Sequence, residues 1–154
     1  MNRDGSGEGS CRDFLDLLTD DVIYHEKMAS VLKGKAAVWG WAEPSHAQFP
    51  GSRTVAFPEH FHLIDEQWGV IVAKFDDGMS YPGDGLGWAA HVSILTNAGN
   101  GKFSRQEDVY DVTSFTDLIK AWGGRAMERG TFDAAQRGWF EQVCPEAVPT
   151  SVSN

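Results

Sequence analysis

Glu26 closes a short alternating segment, Val22 to Glu26, inside the run LLTDDVIYHE. Alternation sets Val22, Tyr24 and Glu26 on one strand face and Ile23 and His25 on the other. A carboxyl group held in apolar surroundings keeps its proton to higher pH than it does in water, and small folds use this for proton chemistry. Glu26 is therefore a candidate general base, and Tyr24 on the same face a candidate donor to a substrate oxygen. His91 and Asp108 fall on successive expected strands. If those strands pair, the carboxylate can orient the imidazole, and a histidine so held gives or takes a proton near neutrality. His60 and His62 in EHFHL share one strand face by the same alternation, as metal ligands would. With Glu66 the run HFHLIDE is similar to a cupin metal motif, but the chain ends in helices and no metal ligand is assigned. Tyr81 to Gly87, YPGDGLG, is expected to be a flexible loop, either a lid or a plain connection. No phosphate-cradling glycine loop and no serine or cysteine nucleophile motif is visible.

The elements that must carry these groups read as helices early and late around a β-rich middle. Asp13 to Leu18 gives one or two helical turns, and Gly34 a turn. Lys35 to Ala42 is expected to form a helix stopped by Pro44, with a second helical piece around His46 to Phe49. Four β segments follow: Arg53 to Ile64, Gly69 to Phe75, Trp88 to Leu95 and Lys102 to Tyr110. Asp76-Asp77-Gly78 is expected to be a tight turn. Thr113 or Ser114 is the expected cap of a helix from Phe115 to Trp122, ended by Gly123-Gly124. Thr131 to Val143 is amphipathic. This order predicts an α+β domain in which a curved antiparallel sheet, wrapped by helices, forms a cone-shaped barrel with a central pocket. The divisions are a flexible stretch over 1–12, the cone over 13–124, a helical extension over 125–144 and a flexible tail over 145–154.

The chain has 154 residues, enough for one domain with a proper core. A net charge of −9, from 22 acidic against 13 basic residues, argues against nucleic acid and against an anionic membrane surface, since both need clustered cations. Six Trp and nine Phe supply material for core and pocket walls, and Trp39 and Trp88 are the candidate walls. Cys11 and Cys144 are too far apart for a zinc or redox motif. No apolar run reaches the length of a membrane span and the N-terminus lacks a leader pattern, so a cytoplasmic protein is expected.

The segments LLTDDVIYHE, GKAAVWGW, FPG at Phe49 to Gly51, and GKFSRQEDVYDVTSFTDLIKAW at Gly101 to Trp122 occur in this order. On them the chain resembles the nuclear transport factor 2-like superfamily, in its SnoaL-type polyketide cyclase and ketosteroid isomerase branch. The resemblance runs from about Phe14 to Trp122. It implies a cone of curved sheet and helices, often dimeric through the convex face. It implies that Glu26 sits where the isomerases keep a proton-shuttling carboxylate, and His91 where they keep a buried acid facing the substrate oxygen. It implies that Ser104, Gln106, Asp108 and Tyr110 face inward, with Gln106 and Tyr110 against substrate. The chain departs from these relatives at its start, where a short helical stub replaces a long helix and no tyrosine precedes Tyr24. Thr131 to Val143 is the segment available to cover the open side.

The expected function is cofactor-independent isomerisation or cyclisation of a small hydrophobic polyketide-, terpenoid- or steroid-like molecule, in a homodimer. The competing readings are a non-catalytic binding or dimerisation module of the same fold, an epoxide hydrolase-like enzyme, and a cupin-like metal enzyme.

Overall fold

The computed structural model describes residues 11–148, so of the flexible termini expected at 1–12 and 145–154 only the inner ends are described, and these are helical, in Cys11–Asp16 and in a 3-10 turn at Pro145–Ala147. Helix α1 (Cys11–Asp16) leads into β1 (Leu18–Glu26), which turns back into β2 (Ser30–Lys33). Gly34, at φ 84°, then redirects the chain into α2 (Lys35–Ala47). Strands β3 (Thr54–Ala56), β4 (Glu59–Asp65), β5 (Val70–Ser80), β6 (Leu86–Gly99) and β7 (Lys102–Tyr110) follow, then α3 (Val112–Glu128) and α4 (Ala134–Val143). The seven strands form one sheet in the order β2-β1-β7-β6-β5-β3, with β4 also paired to β5. The sheet is curved and does not close on itself. It is antiparallel except between β1 and β7, which run parallel. The α+β cone architecture is as the sequence predicts.

Several local expectations are corrected. Arg53 to Ile64 is not one strand: Phe57-Pro58 separates β3 from β4, because proline has no N–H to give to a ladder. Pro44 lies inside α2 instead of ending it. Its fixed φ suits a helix, and Ser45 Oγ donates to the Trp41 carbonyl at 2.7 Å just beyond it. Asp76-Asp77-Gly78 is no turn but the interior of β5, with Asp77 opposite Ala89. Long β-pairing with β6 overrides the local turn preference. Helix α3 starts earlier and runs through Gly123-Gly124, so the division drawn at residue 124 falls within it. Its cap is Asp111, whose side chain accepts from Thr113 N–H. Leu118, Trp122 and Ala126, spaced four apart, bury one stripe of α3 against Met79 and Ala89 of the sheet. That burial outweighs the helix penalty of about 1 kcal/mol per glycine.

Two cores result. Leu15, Leu18, Val22, Tyr24 and Val38 join α1, β1 and α2. Met79, Ala89, Leu118, Trp122 and Ala126 join the sheet to α3, with Phe49 and Phe132 against them. Helix α4, capped by the reciprocal Asp133–Gln136 box, drives Phe140 into this second core, where its ring lies 5.8 Å from Phe49.

Candidate active site

The inner face of the sheet is set by register. Tyr24 pairs with Gln106 across β1 and β7, Ser93 with Asp108 and His91 with Tyr110 across β6 and β7, and Phe75 with His91 across β5 and β6. Side chains of directly opposed residues share a face. Tyr24, Glu26, Phe75, Asp77, His91, Ser93, Gln106, Asp108 and Tyr110 therefore form one continuous inner surface that is unusually polar for a sheet interior.

Three clusters organise it. Asp108 accepts from the Tyr24 hydroxyl at 2.5 Å, from Ser93 Oγ at 2.6 Å and from Gln106 Nε2 at 3.0 Å. Glu26, also buried, accepts from the Tyr110 hydroxyl through Oε1. Its Oε2 accepts from the backbone N–H groups of Met28 at 2.7 Å and Ala29 at 2.6 Å, which fastens the β1–β2 turn. His91 Nδ1 lies 2.5 Å from Asp77 Oδ2, and its ring stacks on Phe75 at 5.2 Å. Among the described residues His91 Nε2 has no hydrogen-bond partner, and the His91 side chain keeps 16% of its surface accessible.

Electrostatics follow from this wiring. Burial alone lowers the His91 pKa, but the Asp77 carboxylate, bonded and adjacent, outweighs it, and with Asp108 raises the pKa above the ordinary histidine value. Burial, then the Asp108 charge and hydrogen bond, pushes the Tyr24 phenol far up. Burial and the Glu26 bond raise Tyr110 likewise. Both phenols stay protonated throughout the neutral range.

The sequence-predicted residues therefore sort as follows. Tyr24, Glu26, His91, Gln106, Asp108 and Tyr110 share the inner face. The carboxylate that orients His91 is Asp77, not Asp108, because Asp108 is taken up by Tyr24, Ser93 and Gln106. Trp88 is corrected to the opposite face: it pairs with Gly78, where a Cβ would lie 2.7 Å from its ring, and it is 48% exposed. Trp39 packs against the Leu15–Val38 core and borders an outer hollow of about 630 Å³ beside Leu15, Asp16 and Lys35. Another cavity, of about 350 Å³, lies between Arg53, Trp122 and Gln136. Neither is lined by Glu26, His91 or Asp108, so neither is the expected central pocket. His60 and His62 do not act together. The register shift between Glu59 and Phe61 separates them, His60 bonds Asp76 at 2.6 Å, and His62 bonds Glu59 at 2.6 Å. No group of ligating side chains able to hold a metal occurs among the described residues.

Asp77 and Ser93 were missed from the sequence. Asp77 was assigned to a turn, and Ser93 carries no signal of its own.

No protein-family model matches the chain, and no curated protein matches it. Solved structures do match in fold. TerC, co-crystallised with polyporic acid, superposes with a TM-score of 0.55 at 15% identity, over 71% of this chain and 85% of that one. A candidate polyketide cyclase from Pseudomonas putida gives 0.57 at 17% identity, over 73% and 87%. A nuclear transport factor 2-like protein of unknown function from Burkholderia pseudomallei gives 0.56 at 15% identity, over 70% and 85%. The chain has the nuclear transport factor 2-like fold. Among the described residues no helix is long and apolar enough to cross a membrane.

Proposed function

We propose, from the nuclear transport factor 2-like fold and the wiring of its inner face, a cofactor-independent acid–base enzyme. It isomerises or cyclises a small hydrophobic polyketide-, terpenoid- or steroid-like molecule. The observation that carries the reading is the Asp77–His91 pair, with Nδ1 tied at 2.5 Å and Nε2 unengaged among the described residues. In the reaction, Nε2 takes a proton from the carbon next to a substrate carbonyl. The electron pair of that C–H bond becomes an enolate, and Asp77 holds the resulting imidazolium. Return of the proton at another carbon isomerises the substrate; attack of the enolate carbon on a second carbonyl cyclises it. Phe75 and the half-buried Leu95 give the apolar surface such a substrate needs. Glu26, which the resemblance puts in the base role, has both oxygens committed to protein donors, so here it anchors Tyr110 and the β1–β2 turn. The candidate cyclase and TerC among the fold neighbours support a small-molecule chemistry of this kind.

The test is proton exchange. A panel of apolar ketones in deuterated buffer is followed by NMR for loss of the α-proton. His91→Gln should slow exchange by about 10²- to 10⁴-fold, while ligand-induced thermal stabilisation stays near that of the wild type. Equal exchange rates in both proteins would remove the catalytic role. The competing reading, a binding module, rests on the saturation of the Glu26 and Asp108 carboxylates. It predicts ligand stabilisation with no exchange in either protein.

The enzyme is further proposed to act as a homodimer. Every residue of β4 is exposed, and Phe61, Leu63, Ile64 and Trp68 present a large apolar surface. Apolar surface of this extent fits a second copy of the chain better than water.

A further inference from the structure

A second site lies away from the polar inner face. Its cavity of about 350 Å³ opens where β5 ends, between the 81–85 loop, α3 and α4. The packed layer of Met79, Ala89, Leu118 and Trp122 stands between it and His91. At about 3.3 Å per residue along β5, the five residues from Phe75 to Ser80 set the two about 17 Å apart.

Two of the groups that line the cavity, Arg53 and Gln136, carry N–H donors that no acceptor among the described residues takes. Arg53 lies with its guanidinium 5.8 Å from the Trp122 ring centre. Gln136 is only 6% exposed. Its Oε1 accepts from Asp133 N–H at 3.0 Å as part of the helix cap, which fixes the amide and leaves the NH₂ end without a protein partner among the described residues. Ser80 gives its carbonyl to Trp122 Nε1 at 2.9 Å, which pins the indole as an apolar wall opposite Tyr81. Among the described residues no acidic side chain lines the cavity.

Two further arginines stand behind the loop. Arg125 covers the Tyr81 ring at 4.5 Å, and the Arg129 guanidinium packs so closely on Gly83 that a Cβ there would meet it at 2.0 Å. Among the described residues Arg53, Arg125 and Arg129 form no ion pair with a carboxylate. In a chain of net charge −9 three arginines thus gather around one loop, where Arg125 also donates to the Asp84 backbone carbonyl at 3.5 Å. Salt screens acids beyond about 8 Å; of the nearer ones, Asp133 is taken up by the Gln136 backbone at the α4 cap, and Arg53 faces the cavity directly.

We propose that this cavity binds a small organic acid, a carboxylate carried on an aromatic or apolar body. Arg53 takes the carboxylate in its fork, the Gln136 amide donates to the same group, and Tyr81, Pro82 and Trp122, which line the cavity, contact the body. A guanidinium and one amide match the planar, singly charged carboxylate; a phosphate dianion leaves oxygens unmet. The site is independent of proton transfer at His91.

The experiment is calorimetric titration of the full chain with benzoate, benzamide and inorganic phosphate. Benzoate should bind, and benzamide, of the same shape but neutral, should bind at least about tenfold more weakly, as should phosphate. Arg53→Gln should lose benzoate binding by about tenfold or more while its unliganded melting temperature stays at the wild-type value, because Arg53 is exposed. Arg53→Lys should recover only part of the affinity, since an ammonium lacks the fork. His91→Gln should bind benzoate unchanged. The proposal is overturned if benzoate gives no heat at millimolar concentration, if benzamide binds as well, or if Arg53→Gln binds like the wild type. It is also overturned if His91→Gln is the variant that loses the anion.

Discussion

Tyr24 on β1 and Asp108 on β7 meet across the parallel pairing of these strands, hydroxyl to carboxylate at 2.5 Å. Tyr110 on β7 returns the pattern by donating to Glu26 on β1. Two strands far apart in sequence are thus laced by two tyrosine–carboxylate bonds of opposite direction. The buried Glu26 and the half-buried Asp108 both have their oxygens met by protein donors, which is the condition for keeping charge inside a sheet.

Removing one lace should cost stability. Tyr24→Phe keeps the ring, which packs edge-on to Trp41 at 5.5 Å, and deletes only the donor to Asp108. The expected loss in urea denaturation is about 1–3 kcal/mol. Ser93→Ala removes a second donor to the same carboxylate, so the double variant should depart from additivity. Additive losses would mean that the two bonds do not share one charge.

The raised pKa of His91 makes stability and activity depend on pH with a definite sign. The folded state holds the proton more tightly than the unfolded chain, whose histidine titrates near 6.5. The pair therefore adds stability that is complete below about pH 6.5 and is lost as pH rises through the raised folded value. His46 acts oppositely, since burial lowers its pKa against the smaller pull of Asp77; its contribution is present above about 6.5 and is lost as pH falls. Subtracting the stability curve of His91→Gln from that of the wild type isolates the first effect. Asp77→Asn should move the pH midpoint of the exchange reaction downward, because it removes the charge that favours the imidazolium. An unmoved midpoint would detach Asp77 from the histidine.

Helix α4 should be a structural part of the domain and not an appendage. Phe140 is fully buried among Phe49, Phe132 and Trp139, so Phe140→Ala should cost about 3–5 kcal/mol. Val143 is exposed on the same helix, and Val143→Ala should cost less than 1 kcal/mol. Thermal or urea unfolding of the two variants distinguishes a docked helix from a loose one, for which both losses would be small.

The proposed dimer has its own test. Leu63→Glu places a charge on a β4 side chain that is already 65% exposed, so the folded monomer should tolerate it. Sedimentation velocity should then change from a dimer to a monomer, with the circular dichroism spectrum unchanged. A wild-type protein that sediments as a monomer would end the dimer proposal.

Much of the fold was legible because it rests on local patterns. The alternation of Val22, Tyr24 and Glu26, the strand Lys102 to Tyr110 and the amphipathic stretch ending at Val143 all lie where the sequence puts them. The misreadings come where tertiary contact beats local preference. Asp76-Asp77-Gly78 has turn chemistry but becomes strand, because eleven consecutive pairs with β6 hold it extended. Gly123-Gly124 has stop chemistry but stays helical, because Trp122 and Ala126 on either side are buried.

The amino-acid order carries the α+β class and the shared face of Tyr24 and Glu26, because periodicity is written residue by residue, and the family resemblance of its motifs implies the inward positions of His91, Gln106, Asp108 and Tyr110. The tertiary structure alone decided the partnerships. It gave His91 to Asp77, Asp108 to Tyr24, and Glu26 to Tyr110 and a turn, and it sent Trp88 outward. Strand order and register bring residues 84 positions apart within a hydrogen bond, and no local pattern carries that information.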